Sequence, residues 1–238
     1  MNYALVTGAD HGVGLALVTN LLARGWTVLA CRLNPSEKQV DALKAEYADT
    51  LAIIELDVSK DESVSNMASM AASLVPHLDL VINNAGILGD MEKEFGEDID
   101  FNQILTIFNV NAVGPLRVSN ALSALVMKST LKTIVDISSE AGSIHDCYRV
   151  GWWGYGMSKA ANNMQGALVY NNIRDKGGRV IQMHPGWVKS LIKGFYEDEA
   201  DITPDESAKG ILHTVLDTEL PVEERPLFLT YQGERLPW

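Results

Sequence analysis

The chain of 238 residues holds only two cysteines, Cys31 and Cys147. Two thiols are too few for a disulfide framework. Neither has metal-ligand neighbours at a recognisable spacing, and the five histidines are scattered, so no metal site is expected. Positive charge is scarce too: 19 Lys and Arg stand against 31 Asp and Glu, a formal net charge of −12. Nucleic acid and anionic membrane both demand a basic face, so neither is expected as a partner. No apolar stretch is long enough to span a bilayer. The opening apolar run is too short for a secretory signal, and a cytoplasmic location is expected. What remains is the composition of a folded domain, 47% hydrophobic and 21% charged. No linker, low-complexity run or internal repeat divides it, so one domain over 1–238 is expected.

Short apolar runs alternate with helical periodicity. Strands are predicted at Ala4–Thr7, Thr27–Cys31, Leu51–Leu56, Leu80–Asn83, Thr133–Ile137, Arg179–His184 and Leu227–Thr230. Helices are predicted over Pro35–Tyr47, Ser63–Leu74, Phe101–Met127, Tyr155–Arg174 and Pro204–Leu216, the last with Thr203 as N-cap and Glu206 at its third position. The alternation implies an α/β fold: a doubly wound, seven-stranded, mostly parallel sheet with helices on both faces. Right-handed crossovers place the C-terminal strand ends along one edge, where open α/β sheets bind ligands.

The first of those edges carries glycines. Thr7-Gly8-Ala9-Asp10-His11-Gly12-Val13-Gly14 lies between the first strand and a helix running to Gly25, which can cap it. Glycine lets the backbone turn tightly and approach a pyrophosphate, and the helix N-terminus offers free N–H groups to that anion. The spacing is neither Gly-x-Gly-x-x-Gly nor a P-loop, and a plain glycine turn is the other reading. The second strand ends at Cys31-Arg32, where dinucleotide folds often place an acid for the ribose hydroxyls. A guanidinium suits a 2′-phosphate, which favours NADP over NAD; a solvated surface charge is the alternative. Asp10 opposes that preference, because an acid in the turn weakens phosphate binding, and His11 compensates only when charged.

Tyr155 and Lys159 stand four apart, on one face of a predicted helix. A free tyrosine hydroxyl has a pKa of about 10. A nearby ammonium lowers it, so the pair reads as a tuned general acid/base.

Taken in order, Thr7-Gly8-x-x-x-Gly12-x-Gly14, Asp57-Val58, Asn83-Asn84-Ala85-Gly86, Asn111, Ser138-Ser139, Tyr155-x-x-x-Lys159 and Pro185-Gly186 resemble the short-chain dehydrogenase/reductase family in its short single-domain branch. Ala30-Cys31-Arg32, His184-Pro185-Gly186-Trp187-Val188 and the ending Tyr231–Trp238 look most like its C-factor/sniffer type of carbonyl reductase. The resemblance implies an oxidoreductase that reduces a ketone or aldehyde, or oxidises the matching alcohol, with NADP or NAD. It implies an Asn111, Ser139, Tyr155, Lys159 tetrad. Tyr155 would protonate the carbonyl oxygen and Ser139 would hydrogen-bond it. Lys159 would bind the nicotinamide ribose and lower the Tyr155 pKa, and Asn111 would hold a proton-relaying water. Cofactor contacts are implied at Gly8, Asp10, His11, Gly12, Val13, Gly14, Arg32, Asp57, Val58, Asn84, Ala85, Gly86, Tyr155, Lys159, Pro185, Gly186, Val188 and Ser190. Asp57 also reads as a turn or cap residue, and Ser138 as a neighbour lining the cofactor side.

The stretch Glu140–Gly154 would border the substrate pocket with His145, Cys147, Tyr148, Trp152 and Trp153, faced by Trp187. Aromatic walls suit an apolar or planar carbonyl compound; packing of the loop on the core is the other reading. A substrate loop near 191–205 is expected to act as a lid. The family implies a homodimer or homotetramer through the long helix and the Tyr155 helix. A second function stays open: a non-catalytic dinucleotide-binding regulator of the same fold. A nucleotide-sugar enzyme of the extended branch would need a further substrate region.

Overall fold

The computed structural model describes residues 1–192, 194 and 197–238. Seven strands form its single sheet: β1 (Tyr3–Thr7), β2 (Thr27–Arg32), β3 (Leu51–Glu55), β4 (Leu80–Asn83), β5 (Thr133–Ile137), β6 (Arg179–His184) and β7 (Leu227–Thr230). Their order is β3-β2-β1-β4-β5-β6-β7, and every pairing is parallel. The expectation of a mostly parallel sheet is therefore met by one that is parallel throughout. Successive strand residues point to opposite faces, and here both faces are apolar. In β1, Ala4 and Val6 join the core beneath α1 (Gly12–Ala23) and α7 (Pro204–Leu212), while Leu5 joins the core beneath α3 (Asp61–Leu74) and α5 (Gly114–Lys128). Strands buried on both sides read as unbroken apolar runs, which is why their sequence boundaries held to within one residue.

The helices departed more. Instead of one helix over Pro35–Tyr47, there is a single turn, α2 (Gln39–Ala42), followed by a 3₁₀ turn at Leu43–Ala45. The Asn34 side chain accepts from the Ser36 N–H at 3.0 Å and the Asn34 carbonyl accepts from the Glu37 N–H at 3.1 Å. That local turn competes with helix initiation. The long helix is two helices, α4 (Phe101–Phe108) and α5, joined by a π turn at Asn109–Val113. Pro115, in the first turn of α5, has no N–H to continue an α ladder. A second π turn, His213–Asp217, extends α7. The capping box at Thr203 and Glu206 forms as read, and Gly25 ends α1 at φ +76°. α6 (Trp153–Ile173) starts two residues before Tyr155 and crosses beside α4 and α5.

Strand order reverses between β1 and β4, and the crevice outside the C-terminal ends of these strands is where this architecture binds ligands. Among the described residues no helix is long and apolar enough to cross a membrane, and no cluster of His, Cys, Asp and Glu could hold a metal ion.

Candidate active site

The crevice begins at the glycine turn. Gly8 adopts φ +66°, and a Cβ there would meet the Ala85 Cα at 2.9 Å. A Cβ on Gly14 would lie 2.0 Å from the Gly8 carbonyl. Only glycine fits these two positions, so the turn can fold tightly over the start of α1. Asn84 ties it to β4: its amide donates to the Thr7 carbonyl at 3.0 Å and the Gly8 carbonyl at 3.1 Å. The Thr7 hydroxyl in turn accepts from the Asn84 and Ala85 N–H groups. This cradle of bare backbone at a helix N-terminus fits a pyrophosphate.

Asp10 corrects one expectation. It is buried, and its carboxylate accepts from the Leu33 N–H at 3.0 Å and the Asn34 N–H at 2.7 Å. It thus pins the turn to the end of β2 and is not aimed as a bare charge at an incoming phosphate. Arg32 is not free either. Its Nη1 pairs with Asp41 and also donates to the Glu37 carbonyl at 3.4 Å, while its Nε is buried without a partner. Asp57 takes the turn role weighed for it, accepting from the Ser59 N–H at 2.9 Å and the Ser59 hydroxyl at 2.6 Å. Val58 packs in the core against Gly114. His11 caps no backbone group with its side chain, and Gly12 lies near Ser190.

Beyond the cradle opens a cavity of about 450 Å³. It brings together Val13, Asn84, Gly86, Ser139, Tyr155 and Lys159 with Pro185, Gly186, Val188 and Ser190 from the segment after β6. Gly8, Asp10, His11, Gly12, Gly14, Arg32, Asp57, Val58 and Ala85 do not line this cavity; Gly8 and Ala85 meet at the β1 and β4 ends, and Arg32, Asp57 and Val58 lie at or after the β2 and β3 ends. Asn111 stands behind it in the π turn. Its side chain accepts from the Ile87 N–H at 2.9 Å and donates to the Ile87 carbonyl at 2.8 Å and the Ser158 hydroxyl at 3.1 Å. Its amide therefore fastens the loop after β4 and has no hydrogen left for a water. Ser138 also lines the cavity, as expected of a neighbour on the cofactor side, with its hydroxyl donating to Asn163 at 2.6 Å.

The electrostatics reverse part of the sequence reading. Burial pushes the Tyr155 hydroxyl up to about 12, against a lowering hydrogen bond from Ser139. The Lys159 ammonium lies 5.5 Å from the Tyr155 ring centroid and donates to the Ile137 carbonyl at 2.7 Å. Burial pulls Lys159 itself down to about 8, with Asp136 opposing the change. A protonated phenol is the form needed to give a proton to a carbonyl oxygen. Asp136 is buried beneath the site, held up by burial and restrained by hydrogen bonds from Asn83, Gln182 and Gln165.

Tyr148, Trp152 and Trp187 line the other end of the cavity, as expected. Trp153 does not: its indole donates to the Lys93 carbonyl at 2.8 Å and packs the loop down. His145 and Cys147 are exposed outside it. The expected lid, Leu191–Ile202, includes Lys193, Phe195 and Tyr196, which lie outside the described residues; Ile192 and Glu197 line the cavity. Glu140 and Arg149, within the stretch expected to border the pocket but not singled out, also line it, as does His184, to which sequence reasoning assigns no role. They come from three segments, and only their nearness to Ser139, to the aromatic pair and to Pro185 hinted at them.

Sheet, cradle and cavity together describe an oxidoreductase built on a dinucleotide fold. A short chain dehydrogenase family model matches residues 2–200, and the chain belongs to that family. It is 34% identical over 161 residues to C-signal of Myxococcus xanthus, covering 68% of this chain and 93% of that protein. It is 30% identical over 240 residues to 1-hydroxy-2-glutathionyl-2-methyl-3-butene dehydrogenase of a Rhodococcus strain, covering the whole of both. The crystal structure of an NADPH-bound carbonyl reductase from chicken fatty liver matches with a TM-score of 0.87 and 30% identity, over 100% of this chain and 99% of that one.

Proposed function

We propose that this oxidoreductase uses NADP(H) and interconverts a ketone or aldehyde with the matching alcohol. The observation that carries the reading is the meeting, in one cavity, of a protonated Tyr155 with Ser139, Lys159 and the mouth of the glycine cradle. The dinucleotide, when bound, supplies the hydride for reduction and takes it back in oxidation. Gly8 to Gly14 and the start of α1 would hold its pyrophosphate, and Asn84 to Gly86 would let it lie against bare backbone. Pro185, Gly186, Val188 and Ser190 would meet its nicotinamide end. Tyr155 holds a proton at its hydroxyl oxygen and gives it to the substrate oxygen. Ser139 fixes the same oxygen. Lys159 would hold the ribose hydroxyls of the bound dinucleotide and pass Tyr155 a replacement proton, which solvent restores to Lys159. The aromatic end favours an apolar or planar carbonyl compound. One domain carries cofactor and substrate sites together.

NADPH in the chicken relative supports NADP here. Arg32 supports it less directly, because a 2′-phosphate must draw it from Asp41.

The test is a carbonyl panel followed by nicotinamide absorbance, with NADPH and NADH titrated separately by fluorescence. Tyr155→Phe is expected to lower kcat by about 10²–10⁴-fold and leave NADPH affinity intact. Turnover unaffected by the substitution would remove Tyr155 as the acid. Dinucleotide binding without turnover of any carbonyl or alcohol would favour the regulator.

A further inference from the structure

The substrate end of the cavity holds a charged cluster for which the proposed reaction has no use. Glu140 directly follows Ser139 and opens a 3₁₀ turn at Glu140–Gly142. Its Oε2 lies 2.5 Å from the Ser139 hydroxyl oxygen and accepts from the Ala141 N–H at 2.8 Å. Its Oε1 pairs with Arg149. The His184 Nδ1, buried and without a hydrogen-bond partner, stands 3.8 Å from Oε2. Arg149 is itself clamped, its guanidinium 4.6 Å from the ring centroids of both Tyr148 and Trp152. Trp152 is set by a left-handed backbone at φ +65°. The carboxylate is thus fixed from three sides against a neighbouring hydroxyl.

An ionised carboxylate only accepts hydrogen bonds, and a serine hydroxyl has one hydrogen. At 2.5 Å from Glu140, that hydrogen lies on the Glu140 side. Ser139 also accepts from the Ala141 N–H at 3.1 Å. Held this way, Ser139 offers the cavity a donor only when its hydrogen leaves Glu140 for the Tyr155 side, where the two hydroxyls are in hydrogen-bond contact. A carbonyl oxygen, and still more the alkoxide that forms from it, needs a donor there. We propose that Glu140 is a positioning residue that acts through Ser139: it retains the hydroxyl hydrogen, so that a carbonyl substrate gains its second hydrogen bond only when Ser139 turns away from the carboxylate. The Arg149 ion pair sets how firmly Glu140 holds it. This inference rests on the reading above that Ser139 faces the reacting oxygen.

The sign of the effect separates this role from a structural one. Removing one partner of a structural ion pair beside an active site slows the reaction. Removing Glu140 should speed it. Steady-state reduction of 4-nitrobenzaldehyde by NADPH is to be measured for the parent, Glu140→Gln, Ser139→Ala and the double variant, with Glu140→Ala as a second substitution that can accept no hydrogen bond. With Ser139 present, Glu140→Gln is expected to raise kcat/KM about five- to tenfold, and Glu140→Ala by at least as much. The gain should lie mainly in kcat, because the new donor bonds the alkoxide more strongly than the carbonyl. In the Ser139→Ala background the same substitutions should change kcat/KM by less than about twofold. An equal change in both backgrounds, or a loss with Ser139 present, overturns the proposal and leaves the carbonyl reductase reading standing. Absence of turnover in all the proteins, with this aldehyde and across the carbonyl panel, overturns that reading and the proposal with it.

Discussion

At the scale of single residues, Lys159 shows how the site's chemistry follows from burial. Its ammonium is enclosed and has one hydrogen-bond acceptor, the Ile137 carbonyl. Burial disfavours the charged form and lowers the group to about 8, against about 10.4 in an open chain. Below pH 8 lysine is charged in the folded and unfolded states alike, and the folded state bears the full cost of burying it. Between pH 8 and the open-chain value the unfolded chain binds more protons, so stability rises with pH. Tyr155, raised to about 12, acts in the opposite direction only above about pH 10. From pH 7.5 to 9.5 the cofactor-free protein should therefore gain about 2 kcal/mol relative to Lys159→Met. Urea unfolding of both proteins across that range measures it, and parallel pH dependences would contradict it. Local spacing made Tyr155 and Lys159 legible in the sequence, and the family resemblance pointed to Ser139. The partners that tune them were not. Asp41 captures Arg32 from nine positions downstream, and Glu140, Arg149 and His184 meet only because β5, the loop before α6 and β6 end together. Pairings of that kind are made by tertiary structure, and charge patterns along the chain do not encode them.

At the scale of elements, the strands were legible because burial on both faces leaves one continuous apolar signal. The break between α4 and α5 was not, since the chain stays helical through the π turn at Asn109–Val113 and Pro115 is compatible with a helix's first turn. The break has a use. It places Asn111 where its side chain reaches both backbone groups of Ile87 and the Ser158 hydroxyl of α6. One side chain thereby joins the loop after β4 to the helix that carries Tyr155 and Lys159. Asn111→Ala removes these bonds from a fully buried position, and an unpaired buried polar group costs about 1–3 kcal/mol. A loss of about 2 kcal/mol in unfolding free energy is expected, with faster amide exchange at Ile87 and its neighbours than in β1 or β5. Hydrogen exchange read by mass spectrometry checks this. Unchanged exchange in the loop would mean that the loop is held by its packing alone.

At the scale of the molecule, the question is what covers the outer face of α4, α5 and α6. Phe101 and Leu105, one turn apart on α4, are 71% and 67% exposed. On α6, Met157, Met164 and Leu168 recur at helical spacing and are 51%, 63% and 57% exposed. Leu116 of α5 and Leu168 of α6 line one groove. Large apolar side chains exposed on three neighbouring helices of a chain with a net charge of −12 are candidates for an interaction surface. The homodimer expected from the family resemblance would cover this face if it met the same face of a second copy, since such a contact closes under two-fold symmetry. Like-charge repulsion between acidic chains opposes association, so burial of this face must outweigh it, and added salt should strengthen the pairing. Light scattering should give twice the 26.0 kDa chain mass. Met164→Glu with Leu168→Glu should reduce it to one chain, because each dimer would bury four uncompensated carboxylates. NADPH affinity should persist, since neither side chain lines the cradle or the cavity. Heat resistance should fall, because association with a partner that binds only the folded chain no longer adds to its stability. A parent protein that scatters as a single chain at all salt concentrations would leave this face exposed for another use.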